Sequence, residues 1–228
     1  IARCETLATL CETLKVFHGG GPLSGRRVIV MGASGGDMAM TADLSRHLGL
    51  RFPAFPPPAA ERLGALLSDR VTVANPFDIH TYLWFEHAAL RQLFEEVLRA
   101  NVDAVGFVLD CPPEASADLS AFIPVIEQFA GAARGAKARA ALISSLPETL
   151  SRSIRELCLR AGVVPLQGQR EALEALDHAG AVGEAWQSGS YPAPRVPRPQ
   201  SGQTRTLSEH AGKAALAAFG VPVPRSRV

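Results

Sequence analysis

Short, mostly apolar runs alternate along this chain with longer amphipathic stretches. Residues 28–31, 71–74, 104–109, 138–143 and 163–165 are such runs, and 50–55 is a further short one. Runs of this length bounded by turn residues read as strands covered on both faces, as in a parallel sheet. Between them, residues 37–47, 59–67, 84–100, 119–133, 148–161 and 170–186 carry apolar positions at helical spacing. In residues 3–17 the stripe Leu7, Leu10, Cys11, Leu14 and Phe17 predicts a first helix that packs through it. Along 84–100 the predicted buried side is Phe85, Ala88, Ala89, Leu93, Val97 and Leu98. Pro124 is expected in the first turn of its helix or at a kink, and Gly49 and Gly162 close two others.

Strands alternating with helices of this length predict an α/β fold with right-handed crossovers. Five strands point to a flavodoxin-like, doubly wound parallel sheet of order 2-1-3-4-5 with helices on both faces. Ligands in such sheets bind beyond the carboxyl ends of the strands, at the switch point between the first and third. The ends expected to meet there are Gly32, Ala33, Ser34, Gly35 and Gly36 on one side and Asn75-Pro76-Phe77-Asp78 on the other. Asn and Asp beside Pro are also ordinary turn formers.

Composition narrows the class. The 228 residues are 47% hydrophobic and 20% charged with a net charge of +1, which gives no electrostatic reason to expect nucleic acid or a membrane surface as partner. No apolar run approaches the roughly 20 residues that span a bilayer. The start, Ile1-Ala2-Arg3-Cys4-Glu5, lacks the pattern of a signal peptide, so a cytoplasmic location is expected. It also lacks Met, which points to a piece of something longer. Cys4, Cys11, Cys111 and Cys158 have no metal or redox spacing and read as free thiols. His80 and His87 do not form a metal-binding pair, so no metal ligand is expected.

The segment Gly32-Ala33-Ser34-Gly35-Gly36 sits between a strand and a helix. Ser34 stands where a dinucleotide fingerprint needs its second glycine, and no lysine follows as a phosphate-binding P-loop requires. The letters do match the G-x-S-x-G elbow of α/β-hydrolases, with Asp110 and His178 in the right chain order for a triad. Against that, only one helix precedes the elbow strand, and His178 lies inside a helical stretch. A helix start after glycines also offers free N–H groups and a positive dipole end to an anion, most often phosphate. Residues 188–205 change character, with Pro192, Pro194, Pro197 and Pro199 among Ser, Gly, Gln and Arg, and read as a linker. Ser208 is the expected N-cap of a short helix that runs to Phe219.

Three blocks resemble the NDP-forming acyl-CoA synthetases, relatives of succinyl-CoA synthetase. They are residues 28–36, the turn Asn75-Pro76-Phe77-Asp78-Ile79, and residues 207–224, which open Leu207-Ser208-Glu209-His210 and close Gly220-Val221-Pro222-Val223-Pro224. The last is similar to the opening of an ATP-grasp domain and is the most specific. The resemblance implies four parts: residues 1–23, a helix closing a preceding domain; 24–187, the second flavodoxin-like ligase domain; 188–205, the linker; and 206–228, the start of the ATP-grasp domain. It implies a relay from acyl-CoA and phosphate through acyl phosphate to a phosphohistidine, and then to ADP. In that relay Ser34, Gly35 and Gly36 would offer N–H groups to the phosphoryl, with the dipole of a helix starting near Asp37. Gly32, Ala33, Asn75 and Asp78 would line the crevice. No catalytic residue falls in this chain, because the phosphohistidine belongs to a CoA-binding domain upstream. CoA and ATP or ADP with Mg would serve the parent enzyme rather than bind tightly here, and the isolated chain is expected to be inactive. The other domains of that enzyme are the expected partners, in a homo- or hetero-oligomer. Two departures stand out: Asp37 is a carboxylate at the proposed anion site, and Ala33 replaces the family's usual Asn. They favour a second alternative beside the hydrolase, a non-catalytic binding module that kept the fold. His178-Ala179-Gly180-Ala181 matches a succinyl-CoA synthetase phosphohistidine motif in letters only, since it follows the wrong block.

Overall fold

The computed structural model describes residues 1–67, 69, 71–113, 118–189 and 206–225. It divides into two compact units, residues 1–190 and 191–228. The first unit holds β1 (Val28–Gly32), β2 (Phe77–Asp78), β3 (Ala104–Val108), β4 (Arg139–Ser144) and β5 (Val164–Gln167). All pair in parallel in the order β2-β1-β3-β4-β5. Helices α1 (Leu7–His18), α2 (Gly35–Leu44), α3 (Pro57–Leu66), α4 (His87–Leu98), α5 (Ile123–Ala133), α6 (Arg152–Arg160) and α7 (Gln169–Ser188) surround the sheet. This is the doubly wound fold the apolar runs predict.

The alternation of side chains along each strand sorts the core into two layers. Ile29, Met31, Val105, Phe107 and Leu142 face α4, α5 and α6, where Phe94, Phe107 and Phe129 meet with ring centroids 5.1–5.4 Å apart. Val28, Val30, Ala141, Ile143 and Leu166 face Val16 of α1, Met38 of α2 and the alanine-rich side of α7. Local signals set the element ends: Thr6 and Ser151 cap α1 and α6 with their hydroxyls, and Pro124 lies in the first turn of α5. Gly162, at φ 75°, follows α6 in a conformation few other residues adopt.

Several expectations need correction. Residues 50–55 contribute one isolated bridge, Arg27 to Arg51, and residues 71–74 form no strand. The second strand is Phe77–Asp78 and the third is Ala104–Val108, so Asn75–Asp78 flanks β1 on the side away from β3. The outer edge of β1 is completed by a side chain instead. Asn75 Oδ1 accepts from Val30 N at 3.2 Å, while its Nδ2 donates to Val28 O at 2.9 Å and Pro53 O at 3.0 Å. One carboxamide thus stands in for a peptide unit of the missing strand.

Helix α1 packs through the face opposite to its apolar stripe. Thr9, Glu12, Thr13 and Val16 are buried, whereas Leu7, Leu10 and Leu14 are 80%, 40% and 56% exposed. The buried polar groups are all satisfied. Thr9 donates to Glu174 of α7 at 2.6 Å, Thr13 to Thr9 O at 2.7 Å, and Glu12 pairs with Lys15 at 2.6 Å. Glu12 also accepts from Gln167 N at 3.0 Å, on the free side of β5, and Pro165 in that strand has no N–H to offer. In α4 the buried apolar residues are Leu90, Leu93, Phe94, Val97 and Leu98, and Phe85 is exposed ahead of the helix. The stretch 148–161 divides into a 3-10 turn, Pro147–Thr149, and α6.

The glycine of the phosphohistidine look-alike, Gly180, has a packing role that it shares with Gly183. The backbone from Leu23 to Arg26 crosses α7 at Gly180 and Gly183, where an added Cβ would meet Gly25 O and Leu23 O. Leu23 N donates to Ala179 O there, and Arg26 pairs with Glu184 at 2.9 Å and Asp177 at 3.5 Å. In the second unit, α8 (Glu209–Ala218) is capped by Ser208, whose hydroxyl accepts from Ala211 N at 3.2 Å. Residues 190–205, the greater part of the expected linker, lie outside the described residues.

Candidate anion site at the carboxyl edge of the sheet

The chain leaves β1 at Gly32, where a side chain would strike Met38 and the carbonyl of Val108, so only glycine lets α2 and β3 close on this turn. Ser34 is extended (φ −138°, ψ 118°), and its hydroxyl accepts from Asp37 N at 3.3 Å. Helix α2 therefore begins at Gly35, two residues earlier than expected, and Ser34 is its cap. The N–H groups of Gly35 and Gly36, at the first two helical positions, have no carbonyl of their own helix within reach. Both residues are exposed, as is Ser34. The donors on offer are those two N–H groups with the helix dipole behind them, while the Ser34 side chain is engaged in capping.

Asp78 closes one flank. Paired with Gly32 across β1 and β2, it lies close enough for its Oδ2 to stand 3.1 Å from a Cβ built on Gly35. Its Oδ1 accepts from His80 N at 2.9 Å, and His80 Nε2 lies 3.5 Å from Oδ2. His80 holds a left-handed conformation (φ 53°) and stacks on Tyr82. Asp110, at the end of β3, closes the other flank, accepting from Ser145 N at 2.8 Å and from the Thr149 hydroxyl. Asn75 is absent from this crevice, because its amide is spent on the backbone of β1. Ala33 is partly buried against the core.

Asp37 sits in the first turn of α2. Burial raises its carboxyl above the ordinary value; the Ser34 hydroxyl pulls it down, nearby Asp110 raises it, Ser145 lowers it and Asp78 raises it again. Gln169, the first residue of α7 and 2% exposed, had no place among the expected site residues. Its Nε2 donates to Asp37 O at 2.8 Å and to Thr41 Oγ1 at 2.6 Å, tying the first two turns of α2 to the start of α7. Its signal was positional: the residues directly after β4 and β5, Ser145 and Gly168-Gln169, fall at the edge where such sheets bind ligands.

The hydrolase constellation is not assembled. Asp110 is held by the loop after β4, while His178 lies nine positions along α7 with its Nδ1 3.4 Å from Thr13 Oγ1 and 3.6 Å from Cys4 Sγ. Ser34 Oγ faces its own helix and no histidine contact. Among the described residues no cluster of His, Cys, Asp or Glu is arranged to hold a metal ion, and no helix is long and apolar enough to cross a membrane.

No protein-family model matches the sequence, and no curated protein matches it. Solved structures do. PH0766 from Pyrococcus horikoshii OT3 superposes with a TM-score of 0.67 at 18% identity, over 82% of this chain and 42% of its own. A dinucleotide-forming acetyl-coenzyme A synthetase 1 from Ca. Korarchaeum cryptofilum, in complex with phosphate and ADP, superposes with a TM-score of 0.62 at 16% identity. That match covers 84% of this chain and 41% of the synthetase. Its apo form gives 0.63 at 16%, over 85% and 42%.

The chain shares the α/β fold of one part of these structures, an acetyl-coenzyme A synthetase among them. It spans about two-fifths of the length of each of these structures. At such low identity the likeness carries the architecture and not the roles of single residues.

Proposed function

We propose that this chain is the part of an NDP-forming acyl-CoA synthetase that holds the phosphoryl group of a phosphohistidine. The observation that carries the reading is the exposed start of α2, with the N–H groups of Gly35 and Gly36 orphaned at the carboxyl edge of the sheet. In the proposed relay, phosphate attacks the thioester of acyl-CoA and CoA leaves as acyl phosphate forms. A histidine on another domain then takes the phosphoryl and releases the acid, and ADP takes it from the histidine to give ATP; synthesis of acyl-CoA runs the same steps backwards. Gly35 and Gly36 hold the phosphoryl oxygens by fixed dipoles, which is the main contribution a protein makes to phosphoryl transfer. CoA, ATP or ADP and Mg2+ are assigned to the other domains of the parent, a homo- or hetero-oligomer, so the isolated chain does not turn over.

The test is the full-length parent, assayed for release of ADP that depends on ATP, CoA and a carboxylic acid. Gly35→Val adds a side chain against Asp78 and over the two N–H groups. It should lower turnover at least tenfold and leave the affinity for ATP unchanged. An equal loss of ATP affinity contradicts the assignment. The carboxylates of Asp37, Asp78 and Asp110 around one anion site favour a second reading, a non-catalytic module that kept the fold. A folded parent without ligase activity would establish it.

A further inference from the structure

At the β5 side of the sheet, α1 and α6 wall a groove whose floor is the outer edge of β5. One stretch of it, about 380 Å3, is lined by Cys11, Lys15, His18, Arg155, Leu159 and Pro165 among others. A second, about 360 Å3, shares Lys15, His18 and Leu159 and runs on to Gly162 and Val164. On the α6 wall Leu159 is 55% exposed. On the α1 wall Leu7, Leu10 and Leu14 turn outward while Thr9, Glu12 and Thr13 take the inner face. Their spacing of three and four is the one by which a helix seats a second helix. Cys11, one turn from both Leu7 and Leu14, joins this seam to the groove. The seam runs along a helix of 12 residues, about 18 Å, which is more than a small molecule covers.

Backbone and charge narrow what can fill it. Pro165 has no N–H, Glu12 holds the Gln167 amide and Cys158 O holds the Val163 amide. The floor therefore donates nothing, and a segment lying on it must satisfy its own carbonyls, as a helix does. The surrounding charge is positive. Lys15, Arg152, Arg155 and Arg160 stand on the two walls, and Arg139 lies against Gly19 and Gly20 at the far end, facing only Glu12 and Glu156 in return. Both acids are already paired, Glu12 with Lys15 and Glu156 with Arg152 and Arg160. Arg139 and Arg155 donate to backbone carbonyls and, among the described residues, pair with no carboxylate. A second copy of the chain docked here across a two-fold axis would set these cations against themselves, which is costly.

We propose that the groove between α1 and α6 is the docking site for an acidic amphipathic helix of a partner chain. Its apolar side chains lie on Leu7, Leu10, Leu14 and Leu159, and its carboxylates reach Arg155, Arg139 and His18. This is the helix-in-groove mode, with the apolar seam supplying affinity and the cations selecting the partner.

Two synthetic peptides of about 18 residues test this, long enough to cover α1. Both carry leucines at spacings of three and four; one has Glu at the flanking positions and the other Lys. Binding to the 228-residue chain is followed by calorimetry and by the amide resonances of Leu10, Leu14 and Leu159. The acidic peptide should bind about tenfold or more tightly than the basic one, lose affinity as salt is raised, and slow the labelling of Cys11 by a thiol reagent. Leu14→Glu and Leu159→Glu, on separate walls and at exposed positions, should each weaken it about tenfold, whereas Leu146→Glu, outside the groove, should not. Equal binding of the two peptides, or none, overturns the proposal. So does self-association of the chain that Leu14→Glu abolishes, which would assign the groove to a second copy. Cys11 already shielded in the full-length parent without a partner would show the groove filled from within, and would also overturn it.

Discussion

Asn75 offers the sharpest test of how this sheet is held. Its carboxamide serves Val30 N, Val28 O and Pro53 O, and both valines are wholly buried. Asn75→Ala strands the Val30 N–H and the Val28 carbonyl in the core at about 1–3 kcal/mol each, while the Pro53 carbonyl, in a partly exposed loop, is hydrated at small cost. The expected loss is about 2–6 kcal/mol, a large part of the roughly 5–15 kcal/mol that stabilises a domain. Urea unfolding should show a lower midpoint at an unchanged slope, and the Val30 amide should exchange with solvent far faster. Asn75→Asp keeps the shape but turns a carboxylate towards two carbonyl oxygens, so its loss at pH 7 should be at least as large. A shift below about 0.5 kcal/mol for Asn75→Ala, with the Val30 amide still protected, would refute the idea that this side chain replaces a strand.

Other outcomes follow from the same structure. Gly183→Ala drives a Cβ into the carbonyl of Leu23 and should cost about 2–3 kcal/mol in urea unfolding, whereas Ala at Gly64, which has open space, should cost nothing. Burial pushes the thiols of Cys111 and Cys158 up to about 12, so a thiol reagent at pH 8 should label exposed Cys11 in the native chain and those two only after unfolding. Asp37 has a raised carboxyl, so its folded form holds a proton to higher pH than its unfolded form. Stability is then greatest below the ordinary carboxylate range and declines as pH rises through the raised value. Asp37→Asn should therefore raise the melting temperature at pH 7 and leave it unchanged near pH 3; a lower melting temperature at pH 7 would contradict this.

Much of the architecture was legible because its signal is one-dimensional. Residues buried on both faces of a parallel sheet need no alternation, and 28–31, 104–109 and 138–143 show it directly. Helix α1 misled because apolar spacing marks a buried face only when water is the alternative. Here Glu174 of α7 and the edge of β5 satisfy Thr9 and Glu12, and the polar face is the one that packs. The second strand was misplaced because its pairing is shared among Arg51, Asn75 and two residues of β2, none of which is a β-forming run. At the site, the glycines and Asp37 were readable as a helix start, but a cap is a matter of one torsion angle, so the start fell two residues late. Gln169 was missed because its partners, Asp37 and Thr41, lie more than 120 residues away in sequence.

The margins of the sheet have a consequence for how the chain meets other copies of itself. On one side Pro165 removes a donor from β5 and the Glu12 carboxylate occupies another; on the other, β2 is two residues long. Neither margin presents a ladder that an incoming strand can extend, which is how natural sheets avoid templating cross-β growth. Helix α1 is thus a guard rail as well as a packing element. Loosening it through Glu12→Ala would unblock the Gln167 amide and open that margin to strand addition.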